Sequence, residues 1–254
     1  MTSYKKWCEP SKVTHVESHA IDVLVSASDE VGITSVAAYL PSRYAETKSL
    51  TRIAERFGKS QVAKFLQNKL PATQSARSGD LGEILAAAFL EEDCGYVVGP
   101  SRLIQRDHQE WAMRGDDVLG ARLDSSSKVH LIKGEAKSRS QARGATVAEA
   151  RDGLQRSGGL PSPHSLTQFA ERLLDTVDDD LGEKLLTLQL ADGIRPKAVT
   201  HLMFLFSGND PTGHVKSDLA AYEGNIAQRA VIVKVHAHQD FVRAVYERAI
   251  SDRA

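Results

Sequence analysis

Two short apolar runs separated by a polar turn constrain this chain more than any other feature. The second run, Val-His-Leu-Ile-Lys-Gly-Glu-Ala-Lys from Val129 to Lys137, reads as a β-strand with a charged end. Side chains alternate along a strand, so Val129, Leu131, Lys133, Glu135 and Lys137 share one face. The first run, Val118, Leu119, Ala121 and Leu123, is a strand introduced by Asp116-Asp117, and Asp124-Ser-Ser-Ser127 forms the turn between the two. So short a connection predicts an antiparallel hairpin. Its open end brings Asp117 next to Glu135 and Lys137.

Each of these residues alone has an ordinary explanation. A Glu-x-Lys at a strand end is usually a solvated pair, and an Asp following Gly is usually a turn residue. Asp117 is the candidate rather than Asp116 because it abuts the strand. A third carboxylate lies upstream, in a helix over Ser78–Leu90 that is apolar nearly all round from Leu81 onward. Glu83 is the one charge in that run, and alone Asp80-Leu-Gly-Glu83 reads better as a capping box. With that helix packed beneath the hairpin, Glu83 can reach its open end. Three carboxylates and a lysine at one spot are electrostatically costly unless a cation joins them. The set Glu83, Asp117, Glu135 and Lys137 therefore predicts a Mg²⁺-dependent phosphodiesterase site, with carboxylates for a hard cation and an ammonium for a water or developing negative charge.

The charge distribution bears on the substrate. Lys and Arg number 32 against 33 Asp and Glu, a formal net charge of −1 that does not favour unaided duplex binding. The charge is uneven, however. Basic residues dominate from Lys128 to Arg156, and acidic ones from Glu171 to Asp192. Lys133, Arg139, Arg143 and Arg151 are the candidate phosphate contacts, on the hairpin and on a helix expected over Ala145–Arg156. No apolar run is long enough to span a bilayer, and the two cysteines, Cys8 and Cys94, have no metal-like spacing. The expectation is a cytoplasmic protein with no membrane association.

Elsewhere the chain reads as scaffold. Val13–Ala27 fits a strand or a loose helix, with His15 and His19 as surface or core histidines. Helical spacing follows in Ile33, Val36, Ala37 and Leu40 up to Pro41, in Leu50, Ile53, Ala54 and Phe57 up to Gly58, and from Val62 to Leu70. Beyond a break at Gly158–Pro163, a helical stretch over Ser165–Leu190 splits near Asp178. A strand over Thr200–Phe206, a helix over Lys216–Gln228, a strand over Ala230–Val235 and a helix over Phe241–Ile250 complete the chain. His236 and His238 share a face and could bind metal, but nothing joins them. The expected division is a helical N-terminal region over 1–76, a catalytic core over 77–160, and a C-terminal α/β portion over 161–254 that completes the sheet or binds a partner.

The order of Glu83 in a helix, Asp117 opening a strand and Glu135-Ala-Lys137 in the next resembles the PD-(D/E)xK nuclease superfamily, with Asp116 where that motif carries Pro. More narrowly, Ser-Gly-Asp-Leu-Gly-Glu83, Arg114-Gly-Asp-Asp117-Val-Leu-Gly and Lys133-Gly-Glu135-Ala-Lys137 resemble the HamA family, the nuclease subunit of the Hachiman anti-phage defence system. The motifs run from Ser78 to Lys137, about a quarter of the chain. The resemblance implies an α/β (α+β) fold, with a restriction-endonuclease-like core of mixed central sheet flanked by helices. It implies Glu83, Asp117 and Glu135 as ligands of Mg²⁺ or Mn²⁺ and Lys137 as the catalytic lysine. It also implies DNA as substrate and control by a partner superfamily 2 helicase of the HamB type, bound as a heterodimer. A non-catalytic scaffold or DNA-binding subunit, an RNase effector on the same core, and an ordinary restriction endonuclease are the alternatives.

Overall fold

The computed structural model describes residues 2, 4–99, 102–104 and 115–253. Pro100, Met113 and Arg114 of the motif region lie outside the described residues. The hairpin forms as expected: β4 (Val118–Leu123) pairs antiparallel with β5 (Val129–Arg139), Val118 opposite Gly134 and Leu123 opposite Val129. The turn is tied by Asp124, whose Oδ1 accepts from Ser126 N at 2.8 Å and Lys128 N at 2.9 Å. This is the Asx geometry that favours Asp at the start of a turn.

Around the hairpin lies a seven-stranded mixed sheet of order β1-β2-β7-β6-β5-β4-β3. The other strands are β1 (Lys12–Val16), β2 (His19–Val25), β3 (Val97–Gly99), β6 (Val199–Ser207) and β7 (Ala227–Lys234). β5, β6, β7 and β2 run parallel, while β1, β4 and β3 join antiparallel. The middle strands β6 and β7 are apolar runs buried on both faces, as parallel strands covered by helices must be.

The helices are α1 (Asp29–Tyr39), α2 (Pro41–Tyr44), α3 (Thr47–Phe57), α4 (Lys59–Lys69), α5 (Gln74–Asp93), α6 (Gly144–Gln155), α7 (Pro163–Leu173), α8 (Asp179–Thr187), α9 (Thr212–Ala220) and α10 (His238–Ser251). Leu81, Ile84, Leu85 and Phe89 of α5 pack with α1 and α10 onto the face carrying Ile132, Phe204 and Val231. The opposite face carries Leu131, Met203, Leu205 and Ile232, and it is covered by α6, α7, α8 and α9. Fully burying each such aliphatic or aromatic side chain contributes about 1.5–3 kcal/mol. α3 keeps an apolar stripe but buries none of its side chains.

One reading needs correction, and two open ones are resolved. The Val13–Ala27 stretch, open between a strand and a loose helix, forms the β1–β2 hairpin, an outer pair that is only partly covered. The expected Lys216–Gln228 helix ends at Ala220, because Gln228 enters β7 and its amide is held by the buried His201 ring. After the break at Gly158–Pro163 come α7 and α8, and β6 then pairs directly with β5, so the C-terminal portion completes the sheet; Gly159 is buried against His201.

Candidate active site

The site lies at the open end of the β4–β5 hairpin. One step beyond the Val118–Gly134 pair, Asp117 stands opposite Glu135, and Asp117 Oδ2 accepts a hydrogen bond from Ala136 N at 3.2 Å. Lys137 Nζ pairs with Glu135 Oε1 at 2.6 Å, with side-chain exposures of 18% and 7%. Asp117, Glu135 and Lys137 thus meet where the register required.

Glu83 approaches from α5. The capping-box reading of Asp80 and Glu83 fails, because α5 starts earlier: Thr73 is its N-cap and its hydroxyl accepts from Ala76 N at 3.3 Å. Asp80 lies mid-helix, buried, and accepts a hydrogen bond from the Tyr44 hydroxyl. Glu83 lines one cleft with Asp117, Arg102 and Val118.

Arg102, which no motif singles out, lines that cleft as well. Its Nη1 lies 2.9 Å from Asp117 Oδ1. Burial works against the guanidinium charge, but Glu83, Asp117 and Glu135 outweigh it and raise the Arg102 pKa. The three carboxylates therefore act electrostatically on one cation.

Glu135 is the carboxylate most perturbed by its surroundings on this strand end. Burial, with the charge of Asp117 behind it, raises its pKa above the usual range, and Lys137 only partly offsets this. Gly153 of α6 provides its space, since a Cβ there would overlap the carboxylate.

A divalent cation suits this end of the hairpin by donor chemistry. Carboxylate oxygens are the ligands Mg²⁺ and Mn²⁺ prefer, and here the Asp117 and buried Glu135 carboxylates meet at the strand ends. Among the described residues, no three His, Cys, Asp or Glu side chains are gathered as a metal cluster. Asp117 and Glu135 stand opposite each other at the strand ends, and Glu83 lines the same cleft as Asp117 and Arg102.

The expected phosphate contacts divide. Arg139 and Arg143 are exposed, Arg139 in a surface pair with Glu149 at 3.2 Å. Lys133 is only 2% exposed and cannot meet a phosphate: its Nζ donates to Arg156 O at 2.6 Å and Leu160 O at 3.0 Å and faces Asp116 at 3.6 Å. Arg151 is also withdrawn, paired with Asp218 at 2.6 Å and stacked over Tyr222. Asp116, passed over in the sequence, is a buried structural acid that accepts from Ser162 N at 2.8 Å.

His236 and His238 part company. His236 is exposed beside Asp29, while His238 is buried and hydrogen-bonded to Ser138 at 2.9 Å.

The comparisons with known proteins agree with the motif pattern. The family model described as HamA matches residues 2–249. A Bacillus cereus protein named Hachiman protein HamA is 27% identical over 223 residues, covering 85% of this chain and 80% of that protein. The match extends well beyond the 78–137 motif stretch to nearly the whole chain, and the chain belongs to the HamA family.

Proposed function

We propose that this chain is a metal-dependent DNA-cleaving effector of the Hachiman defence system, working with a helicase partner of the HamB type. The observation that carries this reading is the meeting of Asp117 with Glu135 and Lys137 at the hairpin's open end. Family membership supports the defence role and the partner. Among the described residues no helix is long and apolar enough to cross a membrane.

Asp117 and Glu135, with Glu83 from α5, would hold Mg²⁺ or Mn²⁺. Such a cation, when bound, polarises a phosphate and lowers the pKa of an attacking water. Lys137 is joined to Glu135, so its ammonium is held where a water nucleophile or the charge on a phosphoryl oxygen would develop. Arg139 and Arg143 lie on the strand end and helix start beyond Lys137, exposed for backbone phosphates. The near-neutral net charge supports delivery of DNA by a partner rather than unaided capture.

The test is cleavage of linear and circular plasmid with Mg²⁺ or EDTA, alone and with the helicase and ATP. Single-stranded DNA and tRNA serve as competing substrates. Preferential loss of tRNA would replace the DNA reading with an RNase one. A second reading, a non-catalytic subunit, has one observation in its favour: Lys137 and Arg102 already neutralise the carboxylates internally.

A further inference from the structure

The two oxygens of Asp117 are both taken. Oδ2 accepts from the Ala136 amide at 3.2 Å, a group fixed in β5, and Oδ1 faces Arg102 Nη1 at 2.9 Å. A metal ion gains Asp117 as a ligand most easily by displacing the contact that can move, which is the arginine. We propose that Arg102 is a built-in counter-cation that occupies the carboxylate site until a divalent ion replaces it, and so sets how much metal the protein needs. This rests on the metal-site reading given above.

Three further observations support it. Arg102 is the shared cation of the site: Glu83 from α5, Asp117 before β4 and Glu135 in β5 all act on it. Its side chain is only 10% exposed, yet its Nε is buried with no hydrogen-bond partner among the described residues. Its Nη1 donates to Asp117 Oδ1 at 2.9 Å and to Gly115 O at 3.5 Å, so its hold on the site is one charge-assisted contact and one long bond, and a dication competes directly for the same Asp117 oxygen. Its backbone, by contrast, is anchored. Leu103 is buried in the α5 core, and Ile104 O accepts from Lys69 Nζ at 3.3 Å. Arg102 lines an open cleft, so its side chain can be displaced without disturbing the contacts of Leu103 and Ile104.

The test measures Mn²⁺ binding to the full chain, without substrate, by calorimetry and by the spin-resonance signal of free Mn²⁺. Arg102→Gln should bind Mn²⁺ about tenfold more tightly than the parent, equivalent to about 1.4 kcal/mol. Arg102→Lys, which keeps the charge, should fall between them, and it carries the comparison should the glutamine variant fold poorly. Asp117→Asn and Glu135→Gln should lose binding. Equal or weaker binding by Arg102→Gln, with binding still abolished in Glu135→Gln, overturns the role of Arg102 and leaves the metal site standing. No saturable Mn²⁺ binding by either the parent or Arg102→Gln overturns both. Binding by Arg102→Gln alone would be the strongest form of the expected result.

Discussion

Gly153 faces Glu135 across the α6–β5 contact, and a single methyl group on Gly153 would overlap the Glu135 carboxylate. The helix is thus hollowed at one residue to seat the acid. Gly153→Ala should strike the carboxylate while leaving the fold in place. Helix propensity favours Ala by about 1 kcal/mol, against about 1–3 kcal/mol for overpacking, so thermal stability should fall only modestly. Displacement of a reacting group by about 1 Å costs on the order of a hundredfold in rate. Cleavage rate and melting temperature measured side by side check this, and full activity in Gly153→Ala would show that the Glu135 position is unimportant.

The Lys133–Asp116 pair fastens the hairpin to the segment after α6. Lys133 Nζ donates to two carbonyls there, and Asp116 accepts from Ser162 N. Lys133→Met leaves a buried carboxylate and two carbonyls without their cation, and should destabilise by about 3–5 kcal/mol. Adding Asp116→Asn should recover part of that loss. Urea unfolding of both variants decides the matter; a loss below about 1 kcal/mol in the single variant would mean the pair is not a clamp.

His238 makes stability depend on pH. Burial, aided by the charge of Arg139, lowers its pKa from 6.5 to about 4. Between those values the unfolded chain binds the proton more readily than the fold does, so protonation favours unfolding. The contribution is complete above pH 6.5 and is lost as pH falls toward about 4. Its full size is on the order of 3 kcal/mol. Unfolding at pH 7 and at acid pH should show a smaller difference for His238→Gln than for the parent. Identical differences would mean that His238 titrates normally.

Local signals in the sequence carried the hairpin and the presence of the helices, though not where α5, α9 and α10 start, because alternation, turn chemistry and 3.6-residue spacing act over short range. The meeting of Asp117 with Glu135 follows from that hairpin alone. Less local facts were hidden. Lys133 reads as a strand-end cation until Asp116, Arg156 and Leu160 surround it. Arg151 reads as a surface arginine until α9 brings Asp218. The β1–β2 hairpin was ambiguous because its apolar residues need β7 beside them to be buried. Arg102 had no motif at all, and only the approach of α5 and β5 gives it a role.

The decisive measurement is plasmid degradation by the purified chain together with a HamB-type helicase and ATP, in Mg²⁺ or EDTA. It should be run beside a folded Glu135→Ala, Lys137→Ala variant. DNA loss that requires the metal and disappears in the variant is the expected result. Equal DNA loss by parent and variant, or none by the parent under any condition while it remains folded, would contradict it.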